Sequence, residues 1–325
     1  MAREHFADRL WAAAEAKRSQ VVVGLDPDLA LMPPEIVAAA ARSHGRTPAG
    51  AAEAIAQFNE AVLDAVAGLA VAVKPQIAFY ERFGCEGLGA YARTIRAARE
   101  RGLIVIADVK RSDIGSTAAA YADAHLPGAG SGDWAPAEDF HADAVTVNPL
   151  LGSEGVAPFW RRAADSGCGV FVLVKTSNPS SKELQDVSCE GRPLYERLAA
   201  LVEEWGAAHR GRSGYGLVGA VVGATFPEEL AKLRSLMPHA PLLVPGYGAQ
   251  GAGVADVRGA FDAQGLGAVV NSSRGVIYAF RREPYSESHG LKDWQGAIRA
   301  AADDMRREIW EATHGREKGK GAKRG

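Results

Sequence analysis

Cysteine is scarce in this chain of 325 residues: Cys85, Cys168 and Cys189 are all there are. They stand far apart and form no C-x-x-C pair. That leaves neither a disulfide framework nor a zinc site, and it points to reduced thiols in a cytoplasmic protein. Long apolar runs are missing too. The longest candidate, residues 65–73, falls far short of the roughly 18 residues a membrane span needs. No charge of one sign dominates. Lys plus Arg is 37 and Asp plus Glu is 39, a formal net charge of −2, whereas a dedicated nucleic-acid binder would normally be strongly basic. The first twenty residues read as an amphipathic helix and not as a signal peptide, because Glu4, Asp8 and Glu15 interrupt their apolar positions. No repeat recurs at a fixed period. His141-Ala-Asp143 is the nearest approach to a metal pair and reads as a loop histidine, so no metal is expected.

What remains is ordinary globular material, 47% hydrophobic and 23% charged, which excludes disordered and fibrous classes. Length alone would allow two domains at about 150 residues each, but barrels of about 250 residues or more often stand as one. Eight short apolar runs occupy residues 21–25, 71–74, 103–109, 144–147, 170–174, 217–222, 241–244 and 268–270. They are rich in Val, Ile and Leu without strict alternation, as parallel strands covered on both faces should be. Stretches with helical spacing lie between most of them, at 51–67, 88–101, 155–165, 194–209 and 228–236, and 293–312 reads as a closing helix. Strand and helix alternating eight times predicts a single α/β domain, a (β/α)8 barrel over residues 1–312 with an N-terminal helix and loop insertions. Residues 43–50 read as a loop and 127–137 as a surface insertion. Residues 313–325 read as a basic, frayed and solvated tail.

The chemistry concentrates in Ile104-Val-Ile-Ala-Asp108-Val-Lys110-Arg-Ser-Asp113-Ile114-Gly-Ser-Thr117. This is an apolar strand that ends in charge. Side chains two apart on a strand share a face, so Asp108 and Lys110 point together at the C-terminal end, where barrel active sites sit. Two further strand ends repeat the pattern: Val73-Lys74-Pro75-Gln76, where the proline fixes the turn after the lysine, and Gly24-Leu25-Asp26-Pro27. Three consecutive junctions thus deliver Asp26, Lys74 and the Asp108/Lys110 pair toward one rim.

Asp-x-Lys-x-x-Asp-Ile after a strand, with Lys-Pro-Gln before it, resembles orotidine 5′-phosphate decarboxylase, in its longer bacterial (type 2) form. The resemblance continues through Val147-Asn148-Pro149 and Lys175-Thr176-Ser177-Asn178-Pro179 to Pro245-Gly246-Tyr247-Gly248-Ala249-Gln250-Gly251 and Asn271-Ser272-Ser273-Arg274-Gly275. It covers most of the chain, from about residue 20 to about 280. It implies loss of CO2 from orotidine 5′-monophosphate to give uridine 5′-monophosphate, the last step of UMP synthesis, with a nucleotide as the small-molecule partner. No pyridoxal, thiamine or metal signature is present to absorb the electron pair left on the ring, so no cofactor is expected and the protein must act electrostatically and supply a proton.

The resemblance also implies roles. Lys110 is the expected proton donor, kept charged by Asp108 and Asp113. Asp108 would sit beside the departing carboxylate, where its repulsion is relieved as CO2 leaves. Lys74 would complete an alternating Lys-Asp-Lys-Asp row, and with Asp26 it would hold ribose hydroxyls. Asp113, with Ile114 and Thr117, would act across the interface of a homodimer. The phosphate end can be read from physics alone. Gly248 and Gln250 follow the seventh strand and Arg274 the eighth, the usual phosphate position of such barrels, where glycine-rich turns expose N–H groups and an arginine can bind bidentately. Gln250 would ride on a lid, so that binding a remote phosphate helps close the site. Thr176 and Ser177 could read the pyrimidine edge. Asn148 could join them, or could simply satisfy the turn before Pro149.

Two decoys share these segments. Gly246-x-Gly248-x-x-Gly251 matches a dinucleotide fingerprint but lies late in the chain, and the next strand ends in Asn271 where an acidic residue would be needed. Lys175-Thr176-Ser177 also resembles the Schiff-base lysine of class I aldolases, and an aldolase acting on a phosphorylated sugar through Lys175 is the rival reading. It leaves Lys74, Asp108, Lys110 and Asp113 partly unexplained.

Overall fold

The computed structural model describes residues 3–128, 134, 139–248 and 251–315. Eight parallel strands close into a barrel: β1 (Val21–Leu25), β2 (Ala72–Pro75), β3 (Ile104–Arg111), β4 (Ala144–Val147), β5 (Gly169–Lys175), β6 (Val218–Val222), β7 (Leu242–Pro245) and β8 (Ala268–Ser272). Neighbours in sequence are neighbours in space, and β1 closes the ring by pairing β8, with Val21 opposite Val270. All eight expected strands are present within two residues of their expected ends.

The strands are apolar throughout because both faces are covered. One set of side chains, including Val21, Val23, Val73, Val105, Ala107, Val145 and Val172, packs outward under the helices. The alternate set, including Val22, Ala72, Ile104, Ile106, Ala144, Phe171, Leu243 and Val269, fills the barrel axis. The helix α1 (Phe6–Lys17) belongs to that inner cluster. His5 caps it by accepting from the Ala7 amide, and Phe6, Leu10, Trp11 and Ala14 form one buried stripe. Phe6 meets Phe171 edge-on at 5.8 Å and Trp11 meets Tyr215 at 5.2 Å. The ring of Phe6 lies where a side chain at residue 169 would stand, so Gly169 is what lets the helix seat against the barrel. α1 therefore plugs the end of the barrel opposite the charged strand ends.

The outer layer holds α2 (Pro34–His44), α3 (Pro48–Val66), α4 (Gly84–Glu100), α5 (Gly115–His125), α6 (Ser153–Ser166), α7 (Leu194–Gly206), α8 (Pro227–Leu236) and α9 (Trp294–His314). Six of these follow the helical stretches read from sequence. α2 and α5 do not, and the expected loop at 43–50 shrinks to Gly45, Arg46 and Thr47, because α2 runs to His44 and α3 starts at Pro48 behind a Thr47 cap. The closing helix runs two residues past 312. Most of the insertion at 127–137 and the tail from 316 onward lie outside the described residues.

Candidate active site

β2 and β3 lie side by side, and their ends bring three charges into contact. Lys74 Nζ donates to Asp108 Oδ2 at 2.5 Å, and Lys110 Nζ donates to Asp108 Oδ1 at 2.6 Å. Lys74 and Asp108 are buried, at 6% and 5% exposure, while the Lys110 side chain keeps 45% of its surface open to the mouth. Burial alone would raise the pKa of Asp108. The ammonium groups of Lys74 and Lys110 outweigh it and hold the carboxyl well below the usual carboxylate range. Burial would likewise lower Lys74, but Asp108 and then Asp26 outweigh it and raise its pKa. The site thus keeps an ionised carboxylate between two cations in a nearly dry place.

Thr146 on β4, absent from the sequence reading, shapes this row. Its hydroxyl donates to Asp108 Oδ1 at 2.9 Å and accepts from the amides of Val109 and Lys110 at 3.1 and 3.0 Å. The β3–β4 register breaks between Ala107 and Arg111, and Lys110 adopts φ +44°. A lysine in the left-handed region is strained, and it persists only where surrounding bonds fix it. Here Thr146 supplies those bonds, and the turn swings Lys110 back over Asp108. A lone polar residue at an inward position of an otherwise apolar strand was the signal available in the sequence.

Beside the row, a cavity of about 180 Å³ is lined by Asp26, Lys74, residues 245–247 and residues 271–274. Asp26 Oδ1 and Asn271 Oδ1 are buried there without a partner, so the cavity offers two acceptors to a ligand's hydroxyl or N–H groups. Gly24 makes the space possible, since a Cβ at that position would fall 1.9 Å from Ser273 Oγ. At the outer edge Arg274 is exposed, and among the described residues no carboxylate pairs with it. The turn after β7 passes through Gly246 and Gly248 at φ +106° and +76°, values that suit glycine. Gln250 lies outside the described residues. The glycine pattern 246–251 follows β7 of the barrel, so it opens no dinucleotide-binding βαβ unit.

Asp113, Ile114 and Thr117 do not reach this cluster. Asp113 only caps the neighbouring Ile114 amide, at 2.8 Å, and Ile114 and Thr117 are exposed. The Asn148 side chain accepts from the Leu150 amide at 3.1 Å, so it serves its turn. The Thr176 hydroxyl donates to Asn178 and accepts from Gln185, whereas the Ser177 hydroxyl has no protein partner among the described residues. Lys175 is placed where the aldolase reading cannot use it. The β5–β6 register slips between Leu173 and Lys175, which puts Lys175 opposite Val222 on the outward face. There it is fully buried and paired with Asp186.

Comparison with known proteins follows the same line. Residues 19–284 match the family model described as Orotidine 5'-phosphate decarboxylase / HUMPS family. The chain is 46% identical over 304 residues to the orotidine 5'-phosphate decarboxylase of Rhodopirellula baltica, covering 94% of this chain and 98% of that one. It is 37% identical over 303 residues to the enzyme of that name from Clostridium acetobutylicum, covering 93% and 98%. Among solved structures, the OMP decarboxylase of Leishmania donovani superposes with a TM-score of 0.71 at 33% identity, covering 96% of this chain and 99% of that one.

Proposed function

The chain belongs to the orotidine 5′-phosphate decarboxylase family, and from that premise we propose how its own residues perform the reaction. The enzyme is a carboxy-lyase that converts orotidine 5′-monophosphate to uridine 5′-monophosphate and CO2. The observation that carries the residue assignment is the Lys74–Asp108–Lys110 row, with one carboxylate ionised between two ammonium groups. When the bond between the ring carbon and the carboxylate breaks, its electron pair stays on the ring. Lys110 Nζ, the exposed end of the row, gives a proton to that carbon and is recharged from solvent. Asp108 faces the substrate carboxylate and loses an unfavourable neighbour as CO2 departs. Lys74 holds Asp108 in place from its buried side.

The remaining contacts follow from the cavity. Asp26, with its unpartnered oxygen, accepts from a ribose hydroxyl beside Lys74. Arg274 and the Gly248 turn take the phosphate. Ser177 reads the pyrimidine edge, the role that Thr176 shares least because its hydroxyl is engaged. Asp113, Ile114 and Thr117 serve the site of a second copy in a homodimer. Support for that comes from the surface beside them, where Ile114, Leu150 and Leu151 are 48%, 75% and 48% exposed, an unusual apolar cluster for a free surface. Gly155 stands between the two segments, since a Cβ there would lie 3.0 Å from the Asp113 carbonyl oxygen and 3.2 Å from Leu151 Cβ. A cytoplasmic setting fits three unpaired thiols.

The test is an absorbance assay of orotidine 5′-monophosphate consumption in excess EDTA, with Lys110→Ala alongside. Wild type should turn over undiminished by the chelator. The variant should melt within a few degrees of wild type yet lose at least ~10²-fold in rate, the least expected of a lost general acid. Undiminished turnover in Lys110→Ala would overturn the proton-donor assignment.

A further inference from the structure

We propose that Lys175 is a positioning residue: with Asp186 it clasps the loop after β5 and so holds Ser177 at the pyrimidine end of the site. The inference deepens the reading above and rests on its assignment of Ser177 to the base.

Lys175 is the last residue of β5 and has no exposed surface. Its ammonium group lies 5.0 Å from the ring centre of Tyr195 and 4.8 Å from that of Phe226, and it pairs with Asp186. Two aromatic faces and one carboxylate thus meet the ammonium group, and Asp186 reaches it from eleven residues along the chain. The residue beside each partner repeats the contact. The Thr176 amide donates to Gln185 Oε1 at 2.9 Å, and Gln185 Nε2 donates to the Thr176 hydroxyl at 2.8 Å. Residues 185 and 186 thus fold back onto 176 and 175, a double clasp across the base of the loop. Ser177, the next residue, is pressed against β6: a Cβ on Gly223 would stand 2.9 Å from its N, Cα and Cβ. The Gly223 amide also donates to the Lys175 carbonyl at 2.7 Å.

A buried ion pair is a poor way to gain stability, since an apolar pair of similar size often does as well. What it does supply is uniqueness. A methionine side chain could rest in the aromatic slot with the loop in many positions, whereas the ammonium is satisfied only when Asp186 arrives. That is the requirement of a loop whose hydroxyl must meet a flat ring edge from one direction, where a misplacement of about 1 Å can lower turnover by as much as ~10²-fold.

The experiment compares full-length wild type, Lys175→Met, Asp186→Asn, the double variant and Ser177→Ala. Each is assayed for kcat and KM with orotidine 5′-monophosphate, and for inhibition by ribose 5-phosphate, which carries ribose and phosphate but no base. Lys175→Met should lower kcat/KM by roughly tenfold or more, leaving the ribose 5-phosphate inhibition constant within about twofold. The double variant should be no worse than the poorer single one, because both remove the same contact. Unchanged kcat/KM in Lys175→Met, or equal weakening of nucleotide and ribose 5-phosphate, overturns the clasp. Should Lys175→Met fail to fold, Asp186→Asn, whose side chain is one-third exposed, carries the same expectation. Loss in Ser177→Ala with none in the clasp variants overturns the clasp alone. No loss in any of them overturns the base assignment as well.

Discussion

Asp108 and His125 are both buried, at 5% and 3% exposure, and acid should reach them in different windows. Burial lowers the pKa of His125 from 6.5 to about 4, with Arg111 and His141 adding to the effect. The unfolded chain therefore binds its proton first, and stability falls as pH drops from about 6.5 toward about 4. The loss should approach about 3 kcal/mol, the linkage value of a shift that size. Asp108 follows later. Its folded pKa is depressed, so its contribution is complete above the usual carboxylate value near 3.9 and is lost as pH falls through the lower folded value. His125→Phe should keep the stack on Phe140, now 6.3 Å between ring centres, and flatten the melting temperature against pH between 6.5 and 4. An unchanged slope in that variant would assign the acid loss to another group.

At the scale of elements, the irregular stretches of β3 and β5 decide what the site contains. Thr146 holds the first of them. Thr146→Val preserves shape but strands the amides of Val109 and Lys110, which should cost about 1–3 kcal/mol in stability. It should also lower kcat roughly 10- to 100-fold with KM little changed, because Lys110 loses its aim and the nucleotide keeps its other contacts. Steady-state kinetics beside thermal melts will decide; an equal rise in KM would mean that Thr146 acts in binding. The same irregularities explain what could be read from the chain beforehand. The eight strands were legible because a strand buried on both faces is written as a valine-rich run, and the charged rim was legible because Asp26, Lys74 and Asp108 interrupt such runs at their ends. The rival reading of Lys175 could not be dismissed on position from the sequence, because strict alternation from Phe171 and Leu173 would turn it inward and only the slip in register reverses that. α5 escaped notice because Gly115–His125 is alanine-rich and buries only Ala118, Ala122 and His125, too few to print an apolar stripe.

The whole molecule is one barrel with two unlike ends. At the open end Asp113 stands apart from the charge row of its own chain, and the proposed homodimer, in which it serves the partner's site, makes activity depend on pairing. Lys110→Ala and Asp113→Ala should each be inactive as purified dimers. Refolded together they should regain part of the activity, since each mixed dimer holds one site with both residues intact. No recovery, with mixed dimers demonstrated by mass, would place Asp113 outside the partner's site. At the other end, Phe6, Leu10 and Trp11 stop the barrel, and Val22, Phe171 and Val269 fill its axis. The molecule is therefore a cul-de-sac. Among the described residues one end is filled, so nucleotide and CO2 should both pass through the other. If both products share that mouth, a nucleotide held there should slow the departure of CO2, and release should limit turnover more than it would in a barrel open at both ends.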